Sequence, residues 1–348
     1  MATTYAIPDG RKHFDVQLST PVAGGMTFSG MLFKPDFLWR KARNNAESHY
    51  IADSNRGTTV FLSSNLTTAE LGYQGSDGSL TFNADGYTIT DSNYNSGEFY
   101  FNGRIYVDWL WKAGGTAVSN TAGSITSSVS ANTTAGFSVV TYTGTGANAT
   151  VGHGLGVAPS LIITKARNNA APWPIYSATL GISQYLELNT TIAAGSIANY
   201  WGANSPSSTV FSLPNANYNN NVSGNTMVAY CFAPVAGYSA FGSYTGNGST
   251  DGPFVYLGFR PRFVMTKRTD TGGVGMNWVI VDTARDTSNA CDDLLRPNLS
   301  DAEVVYTTMD TLSNGFKMRN TDFSINGSGA TYIYMAFAEN PFKYANAR

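Results

Sequence analysis

The stretch VGHGLGVAPSLIITKARNN, residues 151–169, decides how the chain is divided, because two other stretches repeat it. They are FSGMLFKPDFLWRKARNN, residues 28–45, and VYLGFRPRFVMTKRTD, residues 255–270. All three align on a proline that is followed six residues later by a lysine. These residues are Pro35, Pro159 and Pro261 with Lys41, Lys165 and Lys267. A residue that recurs in every copy is predicted to serve the fold, whereas one found in a single copy is a candidate for function.

The repeats extend beyond these phrases and divide the chain into units. FLSSNLTTAE, YLELNTTIAA and LLRPNLSDAE align on Asn65, Asn189 and Asn298, and the openings from Phe14, Phe137 and Tyr238 also match. We call residues 13–113, 136–236 and 237–342 the first, second and third units. Each has the size of a small domain with its own core, so three similar domains in series are predicted. Residues 1–12 are predicted to be a docking arm, the Ser/Thr/Gly-rich 114–135 a loose linker, and 343–348 a C-terminal tail.

Composition indicates an all-β protein. Glycine accounts for 36 of 348 residues, and aromatic and charged residues each make up 13%. Short apolar runs such as Phe37-Leu38-Trp39 and Leu161-Ile162-Ile163 predict strands that are covered on both faces. The predicted fold is three tandem, related β-sandwich or jelly-roll-like repeats with short helical inserts. The helix candidates are residues 66–71, 192–200 and 300–304, the last with a capping box of Ser300 and Glu303.

Several classes of protein are excluded. The N-terminus has no apolar run that could act as a signal peptide, and no segment approaches the ~20 apolar residues of a membrane span. The net charge of −2 argues against a nucleic-acid partner. Cys231 is predicted to be a core residue. Cys291 lies in an acidic insertion of the third unit, whose aligned proline and asparagine are 37 residues apart against 30 in the other two units. No disulfide is expected between the two cysteines. The basic residues at 40–43 and 260–268 are interpreted as solvated charges at strand ends.

No catalytic constellation emerges, so the chain is predicted not to be an enzyme and to need no cofactor. His13, His49 and His153 have no ligand at metal spacing. Asp53 with Arg56 aligns with Asp282 and Arg285, but the second unit has Ser177 and Leu180 there, which favours a structural ion pair. The acids around the insertion of the third unit could form a calcium loop, but they lack its ligand pattern, so no metal is predicted. These acids are Asp286, Asp292, Asp293, Asp301 and Glu303.

Binding is the stronger functional hypothesis. Five tryptophans have bulky apolar counterparts in other units (Trp173, for example, matches Trp278 and Tyr50) and are assigned to the core. Trp201 has no aromatic counterpart, and asparagine-rich loops follow it. Aromatic rings and neutral amides suit a glycan or protein partner. The alternative is that Trp201 packs against its own sandwich. The candidate contact residues are Tyr200, Trp201, Tyr218, Asn219, Asn220 and Asn221.

The phrases at residues 136–168 and 237–270, with YIYMAFAENPF at 332–342, resemble a repeated module in virion structural proteins of tailed bacteriophages, especially marine ones. The HGLG-x-x-P phrase from His153 to Lys165 carries most of the resemblance, which covers the first unit less well. The resemblance implies a non-enzymatic component of the phage particle, made in the host cytoplasm and exposed on the virion surface. It carries over no catalytic residue.

Three roles follow as hypotheses. The first is a tail or fibre protein that contributes to host attachment, assembled with copies of itself as a trimer and with other virion proteins. The second is a capsid decoration, or cement, protein. The third is a protein that binds or degrades host polysaccharide, for which Asp292 and Asp293 are the carboxylates to test.

Overall fold

A computed structural model of the chain describes residues 7–22, 24–72, 79–90, 100–101 and 103–338. It is built of antiparallel strands, so the all-β prediction is confirmed. The strands of the first unit are β1 (Phe14–Ser19), β2 (Met26–Phe28), β3 (Phe37–Ala42), β4 (Tyr50–Asp53), β5 (Gly57–Leu62), β6 (Leu71–Gly72), β7 (Ser79–Asn83), β8 (Gly86–Thr90) and β9 (Tyr106–Trp111).

The second and third units follow the same plan. The next strands along the chain are β10 (Val118–Asn120), β11 (Ser127–Asn132), β12 (Phe137–Thr143), β13 (Ala149–Gly152), β14 (Leu161–Ala166), β15 (Pro174–Ser177), β16 (Gln184–Glu187), β17 (Gly195–Ser196), β18 (Val210–Leu213) and β19 (Thr226–Phe232). The third unit contains β20 (Ser239–Thr245), β21 (Phe254–Tyr256), β22 (Pro261–Arg268), β23 (Val279–Asp282), β24 (Cys291–Leu294), β25 (Val304–Leu312), β26 (Gly315–Met318) and β27 (Thr331–Ala338).

Each unit is a sandwich of two sheets. The inner sheet begins with the same strand order in all three units, namely β1-β9-β3-β4, β12-β19-β14-β15 and β20-β27-β22-β23. The outer sheets are β2-β8-β7, β13-β18 and β21-β26-β25-β24. The first strand of each unit therefore pairs with its last, so that every repeat closes on itself.

The inner sheets are covered on both faces, as the apolar runs predicted. Every residue of β3 and of β14 is buried. Leu38 and Ile162 point into the core of their own sandwich, whereas their neighbours Trp39 and Ile163 point into a core that all three units share. Because both faces of these strands are dry, the usual alternation of apolar and polar residues is replaced by a continuous apolar run.

The shared core gives the molecule pseudo-threefold symmetry. Trp111, Phe232 and Phe337 occupy the same position at the ends of β9, β19 and β27, and their rings meet with centroid separations of 5.5–6.3 Å. The units are therefore arranged as a closed ring and not as a simple series. Each unit has a core of its own as well, so the predicted individual cores exist beneath the common one.

One prediction about a connecting segment is wrong. The linker at 114–135 is not loose, because β10 and β11 form a hairpin that extends the inner sheet of the second unit. In the predicted docking arm, Ile7 is buried in the shared core and Gly10–Lys12 forms a single 3-10 turn, and the docking role stays a prediction. Residues 1–6 and the predicted tail at 343–348 lie outside the described residues.

The predicted helical inserts are also wrong, since no α-helix occurs in the described ranges. The three candidate segments instead run across to the neighbouring unit. The backbone N–H groups of Glu70, Ala194 and Glu303 donate to carbonyl groups of Arg167, Thr269 and Arg43, respectively. Because these N–H groups are bonded to the next unit, they are not available for helical hydrogen bonds within the segment.

Candidate functional site

The carboxylates that recur in the sequence lie at the contacts between units, which we call seams. At the seam of the first and second units, Asp53 pairs with Arg56 at 2.5 Å, and Arg56 also reaches Glu70 at 2.7 Å. Arg167 of the second unit completes the chain of charges at 2.8 Å from Glu70. The hydroxyl group of Tyr230 donates to Asp53 across the same seam at 2.8 Å.

The seam of the third and first units repeats this arrangement. Asp282 pairs with Arg285 at 2.6 Å, Arg285 with Glu303 at 2.9 Å, and Glu303 with Arg43 of the first unit at 2.6 Å. The Trp109 indole donates to Asp282 here, in the position that the Tyr230 hydroxyl group takes at the other seam. The interpretation of these aspartates as structural ion pairs is therefore confirmed, with the addition that they join different units.

The seam of the second and third units is apolar in the same place. Leu180 and Ala194 pack against the shared core there. The Ala194 N–H donates to Thr269 at 2.8 Å, and the Trp278 indole donates to the Glu187 carbonyl at 3.0 Å. One of the three equivalent contacts therefore lacks the chain of ion pairs that joins the units at the other two.

The basic residues at 40–43 and 260–268 are largely not solvated, which corrects their interpretation as surface charges. Arg40 is fully buried against Asp108 at 2.6 Å. Lys41, Lys165 and Lys267 are also buried, and desolvation lowers the pKa of each to about 8. Their ammonium groups donate to backbone carbonyls, including the Thr67 carbonyl of the first unit in the case of Lys165. The repeated lysine therefore serves the fold.

Most of the predicted contact residues lie inside the protein. Tyr200, Trp201, Asn220 and Asn221 are at most 2% exposed, whereas Tyr218 and Asn219 are half-buried. Trp201 packs against Tyr176 in the core of the second unit, as the alternative interpretation proposed. The four buried residues thus offer no surface to a partner.

Asn221 also has a counterpart that the sequence comparison missed. Its side-chain amide donates to the Pro214 and Ala147 carbonyls at 2.7 and 2.9 Å, and its oxygen accepts from Thr145. In the third unit Asn326 makes the same three bonds. The signal that could have paired them was Tyr142 and Tyr244, each in the first strand of its unit and each donating to the carbonyl before the asparagine.

One of the predicted residues, Tyr218, nevertheless lines a surface groove of the second unit, which we call the asparagine groove. It has a volume of about 270 Å³. Its lining residues are Asn148, Ala198, Asn199, Ala203, Pro214, Asn215, Ala216 and Tyr218. The side-chain amides of its three asparagines have no hydrogen-bond partner among the described residues. None of the residues that line it is charged.

A family model described as a domain of unknown function, DUF7483, matches residues 9–341. The chain belongs to the DUF7483 family. Its model spans all three units, which agrees with a core that they share. No curated protein and no solved structure matches the chain. Among the described residues, no helix has the length and apolar content needed to cross a membrane.

The acidic insertion of this DUF7483 chain brings three carboxylates together. Oxygen atoms of Asp286, Asp292 and Asp293 lie within 4.8 Å of one another. Both oxygens of Asp286 accept backbone N–H groups, and Asp293 lies 3.1 Å from Arg43. Burial raises the pKa of Asp286 to about 6. These contacts give the cluster a structural role in the turn before β24 and in the seam with the first unit.

His49 takes the position that tryptophan occupies in the other units, so the match of Tyr50 with Trp173 and Trp278 was wrong by one residue. The backbone N–H groups of His49, Trp173 and Trp278 donate to the aligned Asn65, Asn189 and Asn298. The His49 ring accepts from Trp39 at 2.9 Å and donates to the Arg296 carbonyl at 3.1 Å. Burial holds the pKa of His49 well below its ordinary value.

The remaining candidates are buried as well. His153 contacts the Ser207 carbonyl at 3.2 Å, and desolvation lowers its pKa. Cys231 and Cys291 are both free thiols in the interiors of different sandwiches, where burial raises the pKa of each to about 12. Such thiols are poor nucleophiles because little thiolate is present at neutral pH.

Proposed function

We propose that the chain is a non-enzymatic structural protein of a tailed-bacteriophage particle, associated with the tail or a fibre and contributing to host attachment. The resemblance of the second and third units to virion modules motivates this assignment. The single structural observation that supports it best is the closed, pseudo-threefold ring of sandwiches.

The ring supports a scaffold role because the repeated polar residues serve packing. The recurring lysine and asparagine and the two aspartate–arginine pairs are all engaged within or between units. What remains for function is the outer surface, which a rigid ring holds in a fixed arrangement. Virion assemblies use rotational symmetry, and a ring with three similar faces can contact a threefold partner in three similar ways.

The same geometry favours a second candidate, a capsid decoration protein. A pseudo-threefold ring fits a threefold position of a shell as well as the axis of a fibre. Under this alternative the equivalent faces of the three units would contact equivalent capsid subunits.

Quantitative mass spectrometry of purified phage particles separates these roles. A tail or fibre protein should be present in a small number of copies, and antibodies against the chain should label the tail end in electron micrographs. A decoration protein should be present in hundreds of copies, and its label should cover the head. Complete absence of the chain from purified particles would refute both.

A further inference from the structure

We infer that the asparagine groove binds an uncharged sugar residue of a surface glycan. This inference rests on the proposed attachment role and specifies its ligand. The groove combines three side-chain amides with the ring of Tyr218 and the exposed methyl groups of Ala198 and Ala203. Amides donate to and accept from hydroxyl groups, and a ring face packs on the C–H face of a pyranose.

The hydrogen-bonding groups of the groove are available for a ligand. Among the described residues, nothing bonds to the side-chain amides of Asn148, Asn199 or Asn215. Just beneath the groove, Tyr200 stacks on Tyr218 with centroids 5.2 Å apart. The Tyr200 hydroxyl group is buried and has no hydrogen-bond partner within the part of the chain that the structure describes. A buried polar atom of this kind usually has a water or ligand partner.

The walls of the groove are fixed before any ligand arrives. Asn221 holds the Pro214 and Ala147 carbonyls together, beside two of the lining asparagines. Asn220 donates to the Tyr200 carbonyl at 3.0 Å and so fixes the loop that carries Asn199. A preorganised site loses less conformational entropy on binding, which matters for weakly bound, flexible sugars.

Asn199 itself has a backbone conformation that singles it out. Its φ of 56° is the only positive value of a non-glycine residue in the described chain. Asparagine tolerates this left-handed conformation better than most residues, yet it remains an energetically unfavourable choice. A glycine would adopt this backbone conformation without strain. The asparagine instead adds an exposed side-chain amide to the lining of the groove.

The corresponding place in the third unit is charged, which distinguishes the neutral groove of the second unit from its described counterpart. There Asn326 holds the Ser249 and Asn320 carbonyls, as Asn221 does in the second unit. The neighbouring Asp251 and Arg319 lie 3.5 Å apart as an ion pair. Features that the copies do not share are the candidates for function. The uncharged lining therefore points to an uncharged ligand. A volume of about 270 Å³ lies near the lower limit of ligand pockets, so a single sugar residue of a longer chain fits.

Saturation-transfer NMR of the full chain with purified oligosaccharides tests this inference. The probes are neutral glucose, galactose and N-acetylglucosamine oligomers, with uronic-acid oligomers as the acidic comparison. We expect at least one neutral oligomer to bind with a Kd on the order of 1 mM, equivalent to about −4 kcal/mol. Asn199→Gly, which keeps the left-handed backbone but removes the amide, should weaken that binding about tenfold, and Asn215→Ala should act in the same direction.

The control is Phe323→Ala in the third unit. Phe323 is exposed and occupies the position of Tyr218, and its removal should leave sugar binding unchanged. Binding of acidic oligomers alone, no binding of any neutral oligomer, or equal binding by Asn199→Gly would overturn the inference. Because particle composition is measured separately, a chain that is present on the tail but binds no neutral sugar would remove this inference and leave the proposed function standing.

Discussion

The shared core predicts that the three sandwiches unfold together. Phe232 is 2% exposed at the centre of the ring, and its side chain packs against rings from all three units. Replacing a buried phenylalanine by alanine destabilises a protein by about 3–5 kcal/mol, because transfer energy is lost and a cavity remains. Phe232→Ala should therefore lower the stability of the first and third units as well as its own.

Calorimetry distinguishes this cooperative unfolding from three independent transitions. At roughly 0.7 kcal/mol per residue, about 330 residues unfolding together give a van't Hoff enthalpy near 230 kcal/mol, whereas one unit of about 100 residues gives roughly 70 kcal/mol. With an unfolding entropy near 0.7 kcal/mol/K for the whole chain, a loss of about 4 kcal/mol shifts the single Tm by about 6 °C. The same loss confined to one unit would shift one of three transitions by roughly 20 °C.

Phe254→Ala is the matched control, since Phe254 is 45% exposed on the outer sheet of the third unit. A surface substitution of this kind should change stability by no more than about 0.5 kcal/mol. Three separable transitions, each near the enthalpy of one unit and only one of them displaced by Phe232→Ala, would refute the cooperative interpretation.

Three further predictions concern buried polar groups. Because the folded-state pKa of Lys165 is about 8 and that of an unfolded lysine is 10.5, the unfolded chain binds more protons between these values. Lys165 should therefore stabilise the chain more at pH 9 than at pH 8, while the buried thiols of Cys231 and Cys291 oppose this gain because they ionise first in the unfolded chain. Between these two pH values the urea midpoint of Lys165→Met should change less favourably than that of the unaltered chain. The pKa of His49 is depressed, so stability should fall below pH 6.5 as unfolded imidazole takes up protons, and His49→Gln should show a shallower decline. Asp53→Ala leaves the buried Arg56 with Glu70 alone and should destabilise the chain by about 3–5 kcal/mol in urea titrations; a loss below about 1 kcal/mol would contradict this role.

Much of the fold could be predicted from local pattern. The continuous apolar runs at Phe37 and Leu161 correctly indicated strands buried on both faces. A strand without a solvated face has no polar positions to alternate with its apolar ones. The repeated Asn65 and its partners were correctly assigned to the fold, since one side chain fixes one backbone N–H in each unit.

The ring itself could not be predicted, because it depends on contacts between residues far apart in sequence. Glu303 has the spacing of a helix cap relative to Ser300, yet it binds Arg43, which lies 260 residues away. From the sequence alone Arg43 was interpreted as a solvated charge, because its distant partner Glu303 could not be identified. Asn221 was mistaken for a surface residue because a run of asparagines is typical of an exposed loop, although Asn221 and Asn326 both lie five residues before the closing strand of their unit.

The unequal chemistry of the three seams also specifies the order in which the sandwiches assemble. Three similar β-sandwiches on one chain could close in the opposite rotational order, or exchange with those of a neighbouring chain. In the reversed order Glu70 would face Thr269, and Arg43 would face Ala194, so that buried charges would lose their partners. Because these side chains are largely buried, each mismatch leaves a charge poorly compensated. The difference between the one seam without ion pairs and the two with them therefore favours one rotational order of the units over the other.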